Sequence, residues 1–378
     1  MTHSNNGRPP LRVLQLVHYL EIGGLETLVI ELSRHLRKTD TVVEVLSLHD
    51  VDTEYAIGLK KSGIPLHVIL VGNNRFNISF LWKVATFVRM KRFDVLHSHS
   101  GCQLTAAIIA KLAGIHKLIY TAHGMPMFTR FQDRIEDSLA SWLTSDIVSV
   151  SHEIDDFLRK WLLFPRCTFS TILNGVDTDK FKPFVDLSLK KRLQEQYKLP
   201  FDRVLFGSVG RLESVKNYQM ILHAVKHLVD DGVKNIGCVF VGEGTERSKL
   251  DILTQQLDIV DYVFFLGMQY NIHQIVALWH FFILSSLTEG TSISLLESQA
   301  CGIPAVVTDV GGNSFIISHG ENGYLCSVND VGQMAKYMKK YINDKESTLK
   351  MGDAGRKRVE QHFSLDVVTN NYMKIYQE

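Results

Sequence analysis

Residues 11–36 read LRVLQLVHYLEIGGLETLVIELSRHL. The first seven are apolar apart from Arg12 and Gln15, as in a short strand buried on both faces. Gly23 and Gly24 interrupt the run, and residues 25–36 then follow as an amphipathic helix. A buried strand, a glycine turn and an amphipathic helix open a parallel α/β sheet.

The same rhythm continues outward. Further strands are expected at residues 42–48, 65–68, 94–98, 117–121, 147–150 and 169–173, separated by helical stretches. It breaks at Asn174-Gly175-Val176-Asp177, which carries turn chemistry, and residues 180–200 mix proline and charge without a clear strand. A second α/β set is expected at 203–209, 237–241, 262–265, 281–284 and 305–307, closed by helices at 331–343, 348–362 and 365–376. The fold class is therefore α/β, with two Rossmann-like doubly wound domains facing a central cleft. The first domain covers residues 1–174 and is completed by a helix at about 363–378; the second, with the linker, covers 175–362. Such domains bind ligands where strands end, beside the crevice.

The bulk properties fit that frame. With 378 residues, 45% hydrophobic and 21% charged, the chain is an ordinary globular protein of two or three domains. A formal net charge of +1 gives no field that would favour nucleic acid. Five widely spaced cysteines without a CxxC argue against a disulfide framework or a zinc knuckle. No apolar run reaches the roughly 18 residues of a membrane span, and the polar first ten residues lack the apolar stretch of a secretory signal. A cytoplasmic protein is expected, one that could touch a membrane without crossing it.

The chemistry concentrates at strand ends. Glu289-Gly290-Thr291-Ser292-Ile293-Ser294-Leu295-Leu296-Glu297 follows one expected strand and opens a helix. The free amides of Thr291, Ser292 and Ile293, with Gly290 allowing close approach, would form an anion site suited to a nucleotide diphosphate. Glu289 could accept hydrogen bonds from a sugar, and Glu297 could reach a ribose. Equally, Glu289 could cap the helix and Glu297 form a surface pair. In Gly207-Ser208-Val209-Gly210-Arg211-Leu212, with Lys216 beyond, two cations stand where they could neutralise phosphate oxygens. Gly242 and Gly244 end the next strand and would open space for the nucleotide. Gly23 and Gly24 could bring backbone amides to the diphosphate, although the GxGxxG dinucleotide fingerprint is absent. His97, His99 and His123 follow strands of the first domain. His97 and His99 are acceptor-side candidates; without an accompanying carboxylate or cysteine at ligand spacing they do not suggest zinc. His123 is either a sugar-contacting residue or a buried, hydrogen-bonded one.

Together these motifs resemble the family 4 retaining glycosyltransferases, which have the glycosyltransferase B (GT-B) fold. The E-x7-E block carries the resemblance, with Ala300-Cys301-Gly302-Ile303-Pro304, Gly311-Gly312, Gly320-Glu321-Asn322-Gly323, Asn174-Gly175-Val176-Asp177 and Gly210-Arg211 with Lys216. The resemblance implies that Arg211 and Lys216 hold the donor diphosphate, Glu297 the ribose and Glu289 the donor sugar, with His123 near the reacting end. It implies no cofactor and no metal, the cations and helix terminus replacing Mg²⁺, and a final helix returning to the first domain. In the family a glutamate often follows the Gly-Gly pair; here Asn313, Ser314 and Phe315 follow it.

The expected activity is transfer of a hexose-type sugar, with retention, from a nucleotide-diphosphate donor to a polysaccharide, lipid-linked or other glycan acceptor. A nucleotide-sugar epimerase of the same fold and a non-catalytic nucleotide-sugar-binding protein are the alternatives. Residues 78–92 add a possible contact with the inner membrane surface. At about 100° per residue, Ile78, Leu81, Trp82, Ala85 and Val88 would share a core face. Phe80, Lys83, Phe87 and Lys91 would then point outward to lipid.

Overall fold

The computed structural model describes residues 9–20, 24–72, 75–99, 101–124, 130–184 and 186–378. It divides into two compact units, Met1–Asn174 with Leu365–Glu378, and Gly175–Ser364. The chain leaves the first unit and returns to it at adjacent points. Val176 and Ser364 form an isolated parallel bridge, and the Val176 amide donates to the Phe363 carbonyl at 2.9 Å.

The first unit has a seven-stranded parallel sheet. Its strands are β1 (Leu11–Val17), β2 (Thr41–Ser47), β3 (Leu66–Val68), β4 (Val95–His99), β5 (Lys117–Ala122), β6 (Asp146–Ser149) and β7 (Thr168–Thr171). Its helices are α1 (Gly24–Leu36), α2 (Thr53–Lys61), α3 (Ile78–Lys91), α4 (Gln103–Ala113), α5 (Phe131–Leu143) and α6 (His152–Trp161). The order β3-β2-β1-β4-β5-β6-β7 reverses direction between β1 and β4, where Gln15 is in register with His97.

The second unit begins with α7 (Leu187–Gln196), inside the stretch expected to lack a clear element. Asp186 caps it by accepting from the Ser188 and Leu189 amides. A six-stranded parallel sheet follows: β8 (Val204–Val209), β9 (Ile236–Val241), β10 (Val263–Phe265), β11 (Phe281–Leu284), β12 (Ala305–Thr308) and β13 (Gly323–Cys326). Its helices are α8 (Tyr218–Asp230), α9 (Arg247–Gln256), α10 (Ile272–Val276), α11 (Ile293–Ala300), α12 (Asn313–Ile316), α13 (Val331–Asn343) and α14 (Lys345–His362). Its order, β10-β9-β8-β11-β12-β13, reverses between β8 and β11. Strand β13 escaped the sequence reading because only four residues after an Asn-Gly turn form it. The central strands of both sheets are buried, as in parallel sheets covered by helices, and the edge strands β3, β7 and β10 are partly exposed.

The last helix, α15 (Leu365–Gln377), belongs to the first unit. Val368, Tyr372, Ile375 and Tyr376 enter one core with Val13, Leu32, Leu36, Val95 and Ile119.

Helix α3 corrects one expectation. Phe80, Leu81, Val84, Ala85 and Val88 face the core, whereas Ile78 is 73% and Trp82 56% exposed. Apolar residues surround most of this helix, so two orientations fit its period; α3 takes the one that buries Phe80 and Val84. Lys91 does not face outward freely, since its Nζ pairs with Glu44 Oε2 at 3.1 Å. The outward side keeps Lys83 and Arg89 beside Ile78, Trp82 and Met90, with no acidic residue on the helix.

Helix α5 is inverted. Its buried side chains are Ser138, Ala140 and Ser141, while Phe131, Ile135, Leu139, Trp142 and Leu143 are exposed. The serines fit inside because each bonds to its own helix: Ser138 Oγ donates to the Arg134 carbonyl and Ser141 Oγ to the Ser138 carbonyl. An apolar stripe at i, i+4 and i+8 facing outward is unusual for a surface helix.

Candidate active site

In the second unit the loops after β8 and β11 flank the point of strand reversal, where such sheets bind ligands. Lys216 ends a 3-10 turn (Ser214–Lys216) just before α8, and its Nζ lies 2.5 Å from Glu289 Oε1. Ser286 Oγ donates to the same carboxylate oxygen at 2.6 Å. Ser285 locks the two loops together, donating to the carbonyls of Lys216 and Asn217 at 2.8 and 2.9 Å. Glu289 therefore does not cap the helix. Ser292 does, its Oγ accepting from the Leu295 amide.

Helix α11 starts at Ile293, and among the described residues the amides of Ile293 and Ser294 have no backbone acceptor. Thr291 and Ser292 are buried beneath them. Glu297 lies one turn into the helix and is only 8% exposed. Arg211 is exposed, and no carboxylate of the described residues lies within salt-bridge distance of it. The second unit thus brings Arg211, Lys216, Glu289 and the α11 terminus onto neighbouring loops: a cation, a paired carboxylate and open amides.

The glycines hold these loops in contact. Gly242, at φ +136°, lies where a Cβ would come within 2.1 Å of the Gly210 carbonyl oxygen, and one on Gly244 would meet Leu212 O at 2.4 Å. The Leu212 amide donates to Glu243 O at 2.9 Å. Gly242 and Gly244 therefore seat their loop on the Arg211 loop, where the sequence reading had them opening space. Gly311 and Gly312 do the same for the glutamate. A Cβ on Gly311 would lie 1.8 Å from Glu289 O, and the Gly312 amide donates to Gly290 O at 2.8 Å. Only glycine allows backbone to approach so closely.

In the first unit, Gly23 lies outside the described residues, and Gly24 is the first residue of α1. His97 and His99 are not available to an acceptor. His97 Nδ1 is 2.7 Å from the Tyr376 hydroxyl and its Nε2 is 2.7 Å from Thr121 Oγ1. His99 Nε2 is 2.7 Å from Gln15 Oε1 and its Nδ1 is 2.9 Å from His123 Nε2. Both rings are fully buried with both nitrogens engaged, so they stand behind His123, which is partly exposed. Burial pushes the pKa values of His97 and His123 down to about 3, and that of His99 well below its ordinary value. All three are neutral imidazoles. Gln15, Thr121, Tyr372 and Tyr376 were missed as partners; an uncharged Gln15 flanked by Leu14 and Leu16 in a buried strand was the available signal.

Comparison with known proteins gives the family. Residues 22–180 match the family described as Glycosyltransferase Family 4, and residues 190–358 match Glycosyl transferases group 1. The chain is 27% identical over 307 residues to N-acetyl-alpha-D-glucosaminyl L-malate synthase of Bacillus anthracis, 80% of this chain and 79% of that one. It is 25% identical over 268 residues, 68% of each chain, to UDP-Gal:alpha-D-GlcNAc-diphosphoundecaprenol alpha-1,3-galactosyltransferase of Escherichia coli. The solved structure of Anabaena HepE in complex with UDP superposes with a TM-score of 0.82 at 19% identity, covering 97% of this chain and 100% of that one. Fold and family together define an enzyme of the GT-B type. The chain belongs to the group 1, family 4 glycosyltransferases.

Proposed function

We propose that this glycosyltransferase moves a hexose-type sugar from a nucleotide-diphosphate donor to a glycan or lipid-linked acceptor, with retention and without a metal. The observation that carries the reading is the cluster in the second unit: Arg211, with no carboxylate partner among the described residues, Lys216 held on Glu289, and the open amides of α11. Arg211, Lys216 and the helix terminus bind the diphosphate and stabilise the charge it gains as the bond from C1 breaks. Glu297 takes the ribose, and Glu289 a hydroxyl of the transferred sugar. In the first unit, the neutral His123 imidazole is proposed as a sugar-contacting residue. An acceptor hydroxyl forms the new bond to C1 on the face the diphosphate leaves, and its proton passes to the departing phosphate oxygen. Relatives named for UDP-galactose transfer to a diphosphoundecaprenol-linked sugar and for capsular polysaccharide biosynthesis support such donors and acceptors.

The acceptor side is proposed to work at the cytoplasmic face of a membrane. The outward residues of α3 and α5, Ile78, Trp82, Met90, Phe131, Leu139 and Trp142, are apolar, with Lys83 and Arg89 among them. No helix among the described residues is long and apolar enough to cross a bilayer.

The test is a screen of nucleotide sugars for thermal stabilisation, followed by product analysis with lipid-linked acceptors. A stabilising donor yielding a product with the donor's anomeric configuration supports the reading. An inverted product, or conversion of the donor without any acceptor, would refute it.

A further inference from the structure

Helix α5 is laced to the end of α6 and the turn after it. Arg134, Ser138 and Trp142, each one turn further along α5, hold successive points of that turn. Arg134 Nε donates to the Trp161 carbonyl at 2.7 Å and Ser138 Oγ accepts from the Leu163 amide at 2.9 Å. Trp142 Nε1 donates to the Phe164 carbonyl, also at 2.9 Å. The turn is fixed along the helix, and what it presents is Phe164, 84% exposed. Phe164 has a φ of +50°, a left-handed conformation that is costly for a bulky side chain. Pro165 follows and restricts that backbone further. Neither the strain nor the exposure stabilises the fold; both are offset only when the ring is buried in something else.

Charge identifies the partner. From Phe157 to Val176 the chain has three cations, Arg159, Lys160 and Arg166, and no carboxylate. Arg159 pairs with Asp155. Lys160 and Arg166 are exposed, and among the described residues neither has a carboxylate within salt-bridge distance. Arg166 lies 5.1 Å from the centre of the Trp142 ring. Two carboxylates of α5 are engaged, Glu136 by Arg75 and Asp137 by Trp161 Nε1, which leaves Asp133. An exposed aromatic, a tryptophan beside it and two open cations fit apolar chains beneath anionic headgroups.

We propose that the Phe164 turn is a membrane anchor: the Phe164 ring enters the acyl region of an anionic bilayer, and Lys160 and Arg166 meet lipid phosphates. The anchor rests on the reading that the protein works at a membrane face. Trp142 belongs both to the fastening of the turn and to the exposed apolar stripe of α5, which joins the two into one surface.

Cosedimentation of the full chain with phosphatidylcholine vesicles, with and without phosphatidylglycerol, tests it alongside thermal melts. Phe164→Gly should lower partitioning about ten-fold or more, the effect of losing one buried aromatic. The same variant should be as stable as wild type or more so, since glycine relieves the backbone. Phe164→Trp should keep binding, and its added emission should be quenched by lipids brominated in the acyl chains. Arg166→Glu should weaken binding to vesicles that contain phosphatidylglycerol and not to phosphatidylcholine alone. Wild-type partitioning by Phe164→Gly overturns the anchor and leaves the membrane reading standing. Stability and binding lost together in that variant would mean packing, which also overturns it. If the unmodified chain binds neither vesicle, the membrane reading fails and the anchor with it. A dimer in solution that Phe164→Gly dissolves, without vesicle binding, would make the occupant a second copy and overturn the lipid assignment.

Discussion

Lys216 and Glu289 come from the ends of two adjacent strands, and their charged atoms lie 2.5 Å apart. The pair is mostly buried, so each partner holds the other in place before any ligand arrives. An incoming diphosphate would share Lys216, which leaves the Glu289 carboxylate freer to accept from a sugar hydroxyl. The proposed donor site is in this sense assembled but closed on itself.

Glu289 and Glu297 should therefore fail differently. Glu289→Gln removes a charge beside the reacting sugar and should lower kcat on the order of 10²–10³-fold, as for other single electrostatic contacts in a transition state. Glu297→Gln removes a ribose contact made equally before and during reaction, so donor KM should rise with kcat less affected. Steady-state kinetics on the folded variants decide it. Unchanged kcat and KM in both would make the pair purely structural.

Turnover in EDTA should nearly equal turnover with Mg²⁺, because Arg211, Lys216 and the α11 amides supply the positive charge. An assay in chelator, followed by readdition of a divalent ion, checks this. Activity that disappears and returns with the ion would refute it.

Acid should destabilise the first unit. The folded pKa of His97 is about 3 and its unfolded value about 6.5, so the unfolded chain binds the extra proton first. Stability attached to the neutral ring is complete above about pH 6.5 and is lost as pH falls toward 3. At pH 5 the loss should be about 2 kcal/mol for this one ring. Thermal melts of wild type and His97→Gln between pH 5 and 8 measure it, and a variant with an equally steep pH dependence would contradict the assignment.

Binding to anionic liposomes should be weak and salt-sensitive, each cation near the surface adding about 1 kcal/mol. Cosedimentation should fall on replacing Lys83 and Arg89 with glutamate, and fall further with Leu139→Glu on α5. Lys91 is the wrong cation to remove, since it is paired with Glu44. Equal binding by wild type and variants would exclude the membrane role.

Gly311→Ala should be costly out of proportion to one methyl group. Its φ of +52° and the Glu289 carbonyl 1.8 Å from the new Cβ force the loop to move. A loss of about 2 kcal/mol or more is expected, with donor KM raised because Glu289 moves too. A melt and a donor titration that match wild type would show that the loop yields freely.

The strands and most helices were readable because short apolar runs and helical periods are local properties of a chain. So was the block from Glu289 to Glu297, where a glycine turn, a helix start and two carboxylates fall within nine residues. What could not be read depended on partners distant in sequence. The reading gave Lys216 to phosphate, but nothing near it shows that Glu289 is its resting partner. His97 looked available because Tyr376, 279 residues away, is invisible from β4. On helix α3, Leu81, Ala85 and Val88 are buried as expected, but Phe80 and Val84 take the places expected for Ile78 and Trp82, because aromatic and aliphatic residues lie on both sides of it. Gly242 and Gly311 stand out in the sequence only as glycines in turns, because the backbone each touches belongs to another loop.

The return of α15 also sets an order of assembly. As the chain emerges from the ribosome, residues 175–364 are complete before residues 365–378 exist, yet the first unit needs that last helix to cover Val13, Val95 and Ile119. The domain begun first is thus finished last, contrary to the usual amino-to-carboxyl order of folding. Until then its sheet has an uncovered apolar strip and a set of buried-site histidines open to water. A nascent chain of this protein is most exposed to chaperones and to aggregation through its oldest part.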